Sequence, residues 1–113
     1  MNDHNAANGR MEEKSMYDHL IGKPVLVRSH LGGMYLGTLL AAHEDGTLHL
    51  LARRLLSWRG ALDSTVLAST GPTEGRIGPA ADILLRPAAQ VIEILAASTD
   101  AIEELGRIGT WRR

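Results

Sequence analysis

Two long apolar runs joined by an acidic turn dominate the middle of this chain. Residues 34–43 and 47–56 are mostly aliphatic, and Glu44-Asp45-Gly46 separates them. Because glycine tolerates the positive φ that tight turns require, this pattern predicts an antiparallel hairpin. Gly37, inside the first arm, predicts a bulge or a sharp bend there. Bent strands of this kind close small barrels, so the hairpin predicts a mainly β fold.

Shorter apolar segments on both sides of the hairpin supply the remaining strands. Val25–Arg28 follows a Gly-Lys-Pro turn, and two further strands are predicted at Ile83–Arg86 and Val91–Leu95. Two short helices are predicted as well, one capped by Asp63 and one capped within residues 98–100. The elements add up to five strongly bent strands with one or two short helices.

The chain is predicted to consist of a polar leader and one domain. Residues 1–20 show no sustained helical or strand period, so we expect a flexible leader with at most a helical turn near its end. Residues 21–113 suffice for one modest core and leave no room for a separate catalytic domain. Within this domain, the glycine-rich segment 71–81 is expected to be a mobile loop.

Composition excludes several classes of protein. The chain has no Cys and no Phe, and its net charge is −1. The missing cysteines exclude disulfides and thiolate catalysis, and they fit a cytoplasmic setting. Neither a membrane-spanning segment nor a secretory signal is recognisable, so we expect no membrane association. The near-neutral charge argues against broad duplex binding but allows one local anion site. The small aliphatic core also favours a homo-oligomer.

Three arginines and a tryptophan interrupt the second arm of the hairpin and extend just beyond it. They are Arg53, Arg54, Trp58 and Arg59. A guanidinium on a packed strand needs acceptors for its fork of donors, and carboxylates and phosphates are the best ones. Strict alternation puts Arg54 on the presumed core face with Leu56 and Trp58, and Arg53 on the opposite face. We therefore expect Arg54 to hold the fold together and Arg53, with Arg59 or a neighbouring subunit, to meet a ligand.

Structural and functional interpretations of this segment both stay open. In the structural one, Arg54 pairs with Glu93 or another carboxylate, and Trp58 fills the core. In the functional one, an arginine binds phosphate oxygens while Trp58 or Tyr35 stacks on a base. The residues expected to contact such a ligand are Arg28, Tyr35, Arg53, Arg54, Trp58, Arg59 and Arg76.

No motif indicates catalysis, a metal or a cofactor. His43 and His49 flank the acidic turn, but no third ligand with suitable spacing is evident. Ser57 lacks a convincing catalytic triad, and Gly32-Gly33 lacks the context of a phosphate loop. We expect a protein that is not an enzyme and needs no cofactor.

Several motifs follow one another in the order found in a known family. They are Val25-Leu26-Val27-Arg28, Gly37-Thr38-Leu39, Ala52-Arg53-Arg54, Trp58, Gly60-Ala61, Ile92-Glu93-Ile94-Leu95 and Thr110-Trp111-Arg112. Over residues 24–112 they resemble a family of small phage and prophage proteins, although Leu56 stands where that family often has an aromatic residue. A looser likeness is to Sm-type and other SH3-like small barrels. The first resemblance implies a phage origin, and the second implies a five-stranded barrel that pairs its edges in a ring or dimer.

The leading hypothesis combines this resemblance with the basic segment. It is a phage-derived, non-enzymatic homo-oligomer in the host cytoplasm that sequesters a small phosphorylated ligand, such as a cyclic nucleotide or cyclic oligonucleotide immune signal. One alternative is a Sm-like ring that binds single-stranded RNA. Another is a protein-interaction module that inhibits a host factor, with Trp111 and the arginines as anchors.

Overall fold

A computed structural model of the chain describes residues 17–61 and 63–110. Within these residues, six antiparallel strands form one sheet and two short α-helices pack against it. The strands are β1 (Pro24–Ser29), β2 (Gly33–Ala42), β3 (Leu48–Arg59), β4 (Glu74–Ile77), β5 (Ala81–Leu85) and β6 (Val91–Ala96), and the helices are α1 (Ser64–Thr70) and α2 (Thr99–Arg107). Short 3-10 turns occur at Asp18–Leu20 and Pro87–Ala89.

The twelve-residue strand β3 organises the sheet. One of its edges pairs with β2, while the other pairs with β5 along residues 48–52 and with β4 along residues 55–59. On the far side, β1 joins β2 to β6. In the described part of the chain β5 and β6 do not pair with each other, so the sheet is open.

The prediction of a mainly β fold with one or two short helices is confirmed. The sheet contains six strands instead of five because residues 74–77, inside the segment predicted to be a loop, form β4. This strand has only four residues and lies among glycines, so it carries no alternating pattern that the sequence could reveal. The leader predicted at residues 1–20 lies outside the described residues, apart from residues 17–20.

The hairpin predicted around the acidic turn joins β2 to β3. Gly46 has a φ of 91°, and the Thr47 amide donates to the Asp45 carboxylate at 2.9 Å. The bulge, however, falls between Leu39 and Ala41 and not at Gly37. Gly37 serves the close approach of β2 to β3, since a Cβ there would lie 2.6 Å from the Ala52 Cβ.

The Asp45 carboxylate makes the hairpin turn sensitive to acid. The hydrogen bond from the Thr47 amide lowers the pKa of Asp45, because it stabilises the charged form. The stabilisation is therefore present above the unfolded-state pKa, about 3.9, and is lost as the pH falls through the lower folded-state pKa. In a carbon-detected NMR titration, we expect the Asp45 midpoint to lie below that of a synthetic peptide spanning residues 43–47. Equal midpoints would contradict this account of the turn.

The sheet buries side chains on both faces. In β1, Val25 and Val27 point to one face and Leu26 to the other, as strand alternation requires. The first core contains Leu20, Val25, Val27, Tyr35, Leu39, Leu48, Leu50, Ala52 and Leu85. The second core contains Leu26, Leu36, Leu55, Leu67, Ala68, Ile77 and Leu105, and it includes the inward faces of α1 and α2.

The buried face of β3 changes along the strand. Leu50 and Ala52 belong to the first core, whereas Leu55 belongs to the second, on the opposite face. The prediction that Arg54 and Leu56 share the core face was therefore wrong: Arg54 is exposed and Leu56 is 47% exposed. The change occurs because Leu67, Ala68 and Leu105 of the two helices pack on the other face, where Leu55 lies.

Side-chain caps begin both helices. The Asp63 carboxylate accepts a hydrogen bond from the Val66 amide, and the Ser98 hydroxyl accepts one from the Ala101 amide. These two caps confirm the predicted helix starts. Gly71, with a φ of 74°, ends α1 and packs beside the Ala101 backbone of α2.

Candidate functional site

An open cleft of about 610 Å³ lies along the antiparallel pair of β3 and β4. Three of the residues predicted to contact a ligand meet here, namely Trp58, Arg59 and Arg76. The remaining lining residues are Ser57, Glu74 and Gly75. The pairing of β3 with β4, two segments separated by α1, is what brings the three predicted residues together.

Strand register places the two arginines of the cleft on one face. Arg59 lies opposite Glu74, and Arg76 lies opposite Ser57. Arg59 and Arg76 are therefore diagonal neighbours, a relation in which Cα atoms are about 7–8 Å apart and long side chains reach one another. Because long side chains at diagonal positions can reach a common ligand, two guanidinium groups placed in this way can bind neighbouring phosphates of one small molecule, or two oxygens of one phosphate.

A weak ion pair spans the cleft. The Arg59 Nη1 lies 3.2 Å from the Glu74 Oε1, and the side chains are 82% and 63% exposed. An ion pair with this exposure is screened by water and contributes about 0–1 kcal/mol to stability. Glu74 therefore neutralises Arg59 in the free protein without holding it firmly, and an anion of higher charge density can displace it.

Trp58, which lines the cleft, also contacts the second core. Trp58 is partly buried and packs against the second core. Its partner across the strand pair is Gly75, where a Cβ would overlap the Ser57 carbonyl oxygen. Glycine at this position lets β4 approach β3 closely, so Gly75 shapes the cleft although it carries no functional group.

The Arg53 guanidinium donates hydrogen bonds to the backbone of its own chain. Its Nε donates to the Gly78 carbonyl oxygen at 2.7 Å, and its Nη1 donates to the carbonyl oxygens of Leu105 at 3.0 Å and Ile108 at 3.3 Å. The last two acceptors lie at the C-terminal end of α2, where a cation also interacts favourably with the helix dipole. Arg53 thus anchors α2 to the sheet.

Arg54 lies on the opposite face and is exposed. Its Cζ is 6.0 Å from the centroid of the Tyr35 ring, and no described residue forms an ion pair with it. Tyr35 is only 7% exposed and donates its hydroxyl to the Gly32 carbonyl oxygen at 2.5 Å. The roles predicted for the two arginines were therefore wrong, since Arg53 is the structural arginine and Arg54 is the exposed one. The Tyr35 ring is too buried to stack on a base.

Glu93, the carboxylate that the structural interpretation paired with Arg54, has other partners, and so has Asp82. Glu93 lies 3.3 Å from the Arg28 Nε and accepts a hydrogen bond from the Ser64 hydroxyl at 2.5 Å. Asp82 lies 3.1 Å from the His49 Nε2. Arg28, predicted to be a ligand contact, is thus part of a surface cluster that joins β1, β6 and α1.

The sequence pattern missed three lining residues of the cleft. Ser57, Glu74 and Gly75 carry no motif, and the last two lie in the segment predicted to be a loop. The only signal was the alternation of charge around Gly75. In residues 17–61 and 63–110, no group of three or more His, Asp or Glu side chains is placed to hold a metal ion. None of the helices described is long and apolar enough to span a membrane.

Comparison with protein families matches the greater part of the chain. A family described as a domain of unknown function (DUF6948) matches residues 22–105, which include every strand and almost all of α2. No curated protein and no solved structure matches the chain.

Proposed function

Because the chain belongs to the DUF6948 family, a domain of unknown function, we propose its role from the geometry: it binds a small phosphorylated ligand in the cleft between β3 and β4. The observation that carries this proposal is the placement of Arg59 and Arg76 on one face of an open cleft of about 610 Å³. Arginine is the residue best suited to phosphate, since its planar fork binds two oxygens at once.

A nucleotide-like ligand is the finer part of the proposal. Trp58 also contributes to the wall of the cleft, although strand alternation turns its ring toward the second core and away from the face that bears Arg59 and Arg76. The phage-like order of the motifs directs us to a cyclic nucleotide or cyclic oligonucleotide of the type that hosts use as an immune signal. The protein then acts as a phage anti-defence factor in the host cytoplasm by holding this signal.

Binding without chemical conversion fits the functional groups of the cleft. A serine nucleophile needs a base within hydrogen-bonding distance, about 2.6–3.2 Å. Ser57 forms no side-chain hydrogen bond to a described histidine or carboxylate, and Glu74 is directed to Arg59. The proposed role is therefore sequestration, and the ligand should be recovered unchanged after binding.

Self-association belongs to the same proposal. The outer edges of β5 and β6 are unpaired in the described part of the chain, and exposed edges invite pairing with a second chain. Leu84 on β5 and Ile92 on β6 are 54% and 57% exposed. Light scattering at two protein concentrations measures the oligomeric state directly.

Isothermal titration against cyclic mono-, di- and trinucleotides tests the proposed site. Arg59→Ala should weaken binding at least about tenfold, because it removes a charge-assisted contact. Glu74→Gln should tighten binding about two- to fivefold, because it removes the carboxylate that competes for Arg59. The matched control is Glu104→Gln on α2, where Glu104 forms a similar pair with Arg107 at 3.0 Å, and there the affinity should not change.

Three outcomes would count against the proposal. One is the absence of heat with every member of the panel while the protein is folded. A second is weaker binding after Glu74→Gln, which would make Glu74 a ligand contact. A third is steeply salt-dependent binding to single-stranded RNA in place of the small ligands, which would favour the RNA-binding alternative.

A further inference from the structure

A β-bulge in β3 brings Arg54 and Arg59 to the same face of the sheet. The register between β3 and β4 shifts between Leu55 and Ser57, so β3 contains one extra residue there. Without the bulge, alternation would place Arg54 and Arg59 on opposite faces, because an odd number of positions separates them. The extra residue restores them to one face. Bulges commonly re-aim a side chain in this way beside a binding site.

Packing on both sides of the bulge supports this assignment of faces. Arg54 lies directly opposite Tyr35, which belongs to the first core. Beyond the bulge, Trp58 packs against the second core, so its neighbour Arg59 points to the other face. Leu55 and Trp58 both contact the second core although strict alternation would separate them. Arg54 and Arg59 therefore share the face of the first core.

Arg76 of β4 is a third arginine on this face. It lies opposite Ser57, and its neighbour Ile77 is buried in the second core, so Arg76 points the other way. The Gly78 amide donates to the Arg54 carbonyl oxygen at 2.8 Å and continues the register of β4. Gly78 thus lies opposite Arg54, and Arg76 is the diagonal neighbour of Arg54.

Glycines flank Arg54 on both neighbouring strands. A Cβ at Gly33 of β2 would lie 2.8 Å from the Arg54 Nε, so the arginine side chain lies across the Gly33 backbone. On the other side, Gly78 has no side chain to cover Arg54. The guanidinium is exposed, and no described carboxylate forms an ion pair with it. Its charge is therefore open to an anion from solution.

The position of the Arg54 guanidinium separates it from the cleft. It lies over β2, whereas Arg59 and Arg76 lie along β3 and β4. Because β2 and β4 are two strand spacings apart, this separation is roughly 10 Å. Residues 54–59 and 74–78 contain three arginines and one carboxylate, that of Glu74. The face has positive charge for a second anionic group, at a distance from the first.

We propose that Arg54 binds a second phosphate, so that this face of the sheet takes a ligand whose two phosphates are held apart, as in a cyclic dinucleotide. One phosphate lies at Arg59 and Arg76, and the other accepts from the Arg54 fork. This inference rests on the proposed function and adds the class of ligand. A cyclic mononucleotide has only one phosphate and ADP has two adjacent ones, so neither spans both positions.

Isothermal titration of the full chain with cyclic di-AMP, cyclic AMP and ADP tests this inference. Cyclic di-AMP should bind at least about tenfold more tightly than cyclic AMP, because it gains a charge-assisted contact. Arg54→Ala should lower the affinity for cyclic di-AMP at least about tenfold relative to the affinity for ADP. The substitution leaves both cores intact, since Arg54 is exposed.

Arg28→Ala is the matched control for a change of net charge. Arg28 follows Val27 of the first core, so it points to the opposite face, where it pairs with Glu93. Its removal takes away the same charge, and the preference for cyclic di-AMP should stay as in the parent. In NMR spectra of protein labelled with nitrogen-15, the Arg54 Nε–H signal should shift with cyclic di-AMP and not with cyclic AMP.

Three results would overturn the role of Arg54. They are equal affinities for cyclic di-AMP and cyclic AMP in the parent, an equal loss with every probe after Arg54→Ala, and the same loss of preference after Arg28→Ala. If the probes bind equally well and Arg59→Ala weakens them all, the cleft stands and only the second phosphate position fails. If no phosphorylated probe binds to the folded protein, the proposed function fails as well.

Discussion

Replacing Arg53 with alanine is expected to lower the free energy of unfolding by about 3 kcal/mol. The change removes the donors for the carbonyl oxygens of Gly78, Leu105 and Ile108, and it removes the cation at the end of α2. Because Leu105 is 3% exposed and belongs to the second core, loosening α2 also loosens the packing beneath it. Urea unfolding followed by circular dichroism measures the effect.

Arg54 provides the control for this prediction, since it is the adjacent residue, of the same type and on the same strand. Arg54→Ala removes an exposed guanidinium that lies beside the Tyr35 ring, a contact worth about 0.5–1 kcal/mol. The two variants should therefore differ by about 2 kcal/mol in unfolding free energy. If Arg54→Ala is as damaging as Arg53→Ala, the assignment of the structural arginine made here is wrong.

Replacing Gly37 with alanine is expected to cost about 3 kcal/mol or to prevent folding, at the upper end of the range for overpacked sites. The added Cβ would overlap the Leu51 carbonyl oxygen and lie 2.6 Å from the Ala52 Cβ. The Leu51 oxygen and the Ala52 backbone belong to the paired strand β3, so neither can move away as a flexible side chain could. Relief requires β2 and β3 to separate at their centre, beside Leu36 and Leu50, which are fully buried.

Gly106 is the matched control for the effect of adding one methyl group. A Cβ at Gly106 meets nothing within 4 Å, and the residue lies in α2. Gly106→Ala should therefore stabilise the protein by up to about 1 kcal/mol, as expected for glycine replaced by alanine in a helix. Thermal unfolding of both variants measures the contrast. A Gly37→Ala protein as stable as the parent would show that β2 and β3 do not approach as closely as described.

Local chemistry was sufficient to predict much of the fold. The acidic turn at residues 44–46 predicted the hairpin, because only a few residue types accept its backbone conformation. Asp63 and residues 98–100 predicted the helix starts, because a cap depends on residues within three positions of it. The strand β4 escaped prediction, since four residues among glycines acquire their conformation from pairing with β3.

The candidate site could be predicted only in part. Trp58, Arg59 and Arg76 were identified by residue type, and the structure brings them together along β3 and β4. Tyr35 and Arg28 were identified on the same grounds, yet one is buried in the first core and the other pairs with Glu93. Residue type indicates what a side chain can bind, whereas its partners depend on distant segments of the chain.

Arg53 and Arg54 show which structural properties follow from the local sequence and which depend on tertiary packing. The sequence by itself determined a strand over residues 47–56, which the structure extends to Arg59, and it placed Arg53 and Arg54 on opposite faces of that strand, because alternation is a local property. Which face is buried was decided by α2, whose Leu105 carbonyl lies 52 residues from Arg53 along the chain. The covering of a strand depends on such long-range packing, and no local pattern records it.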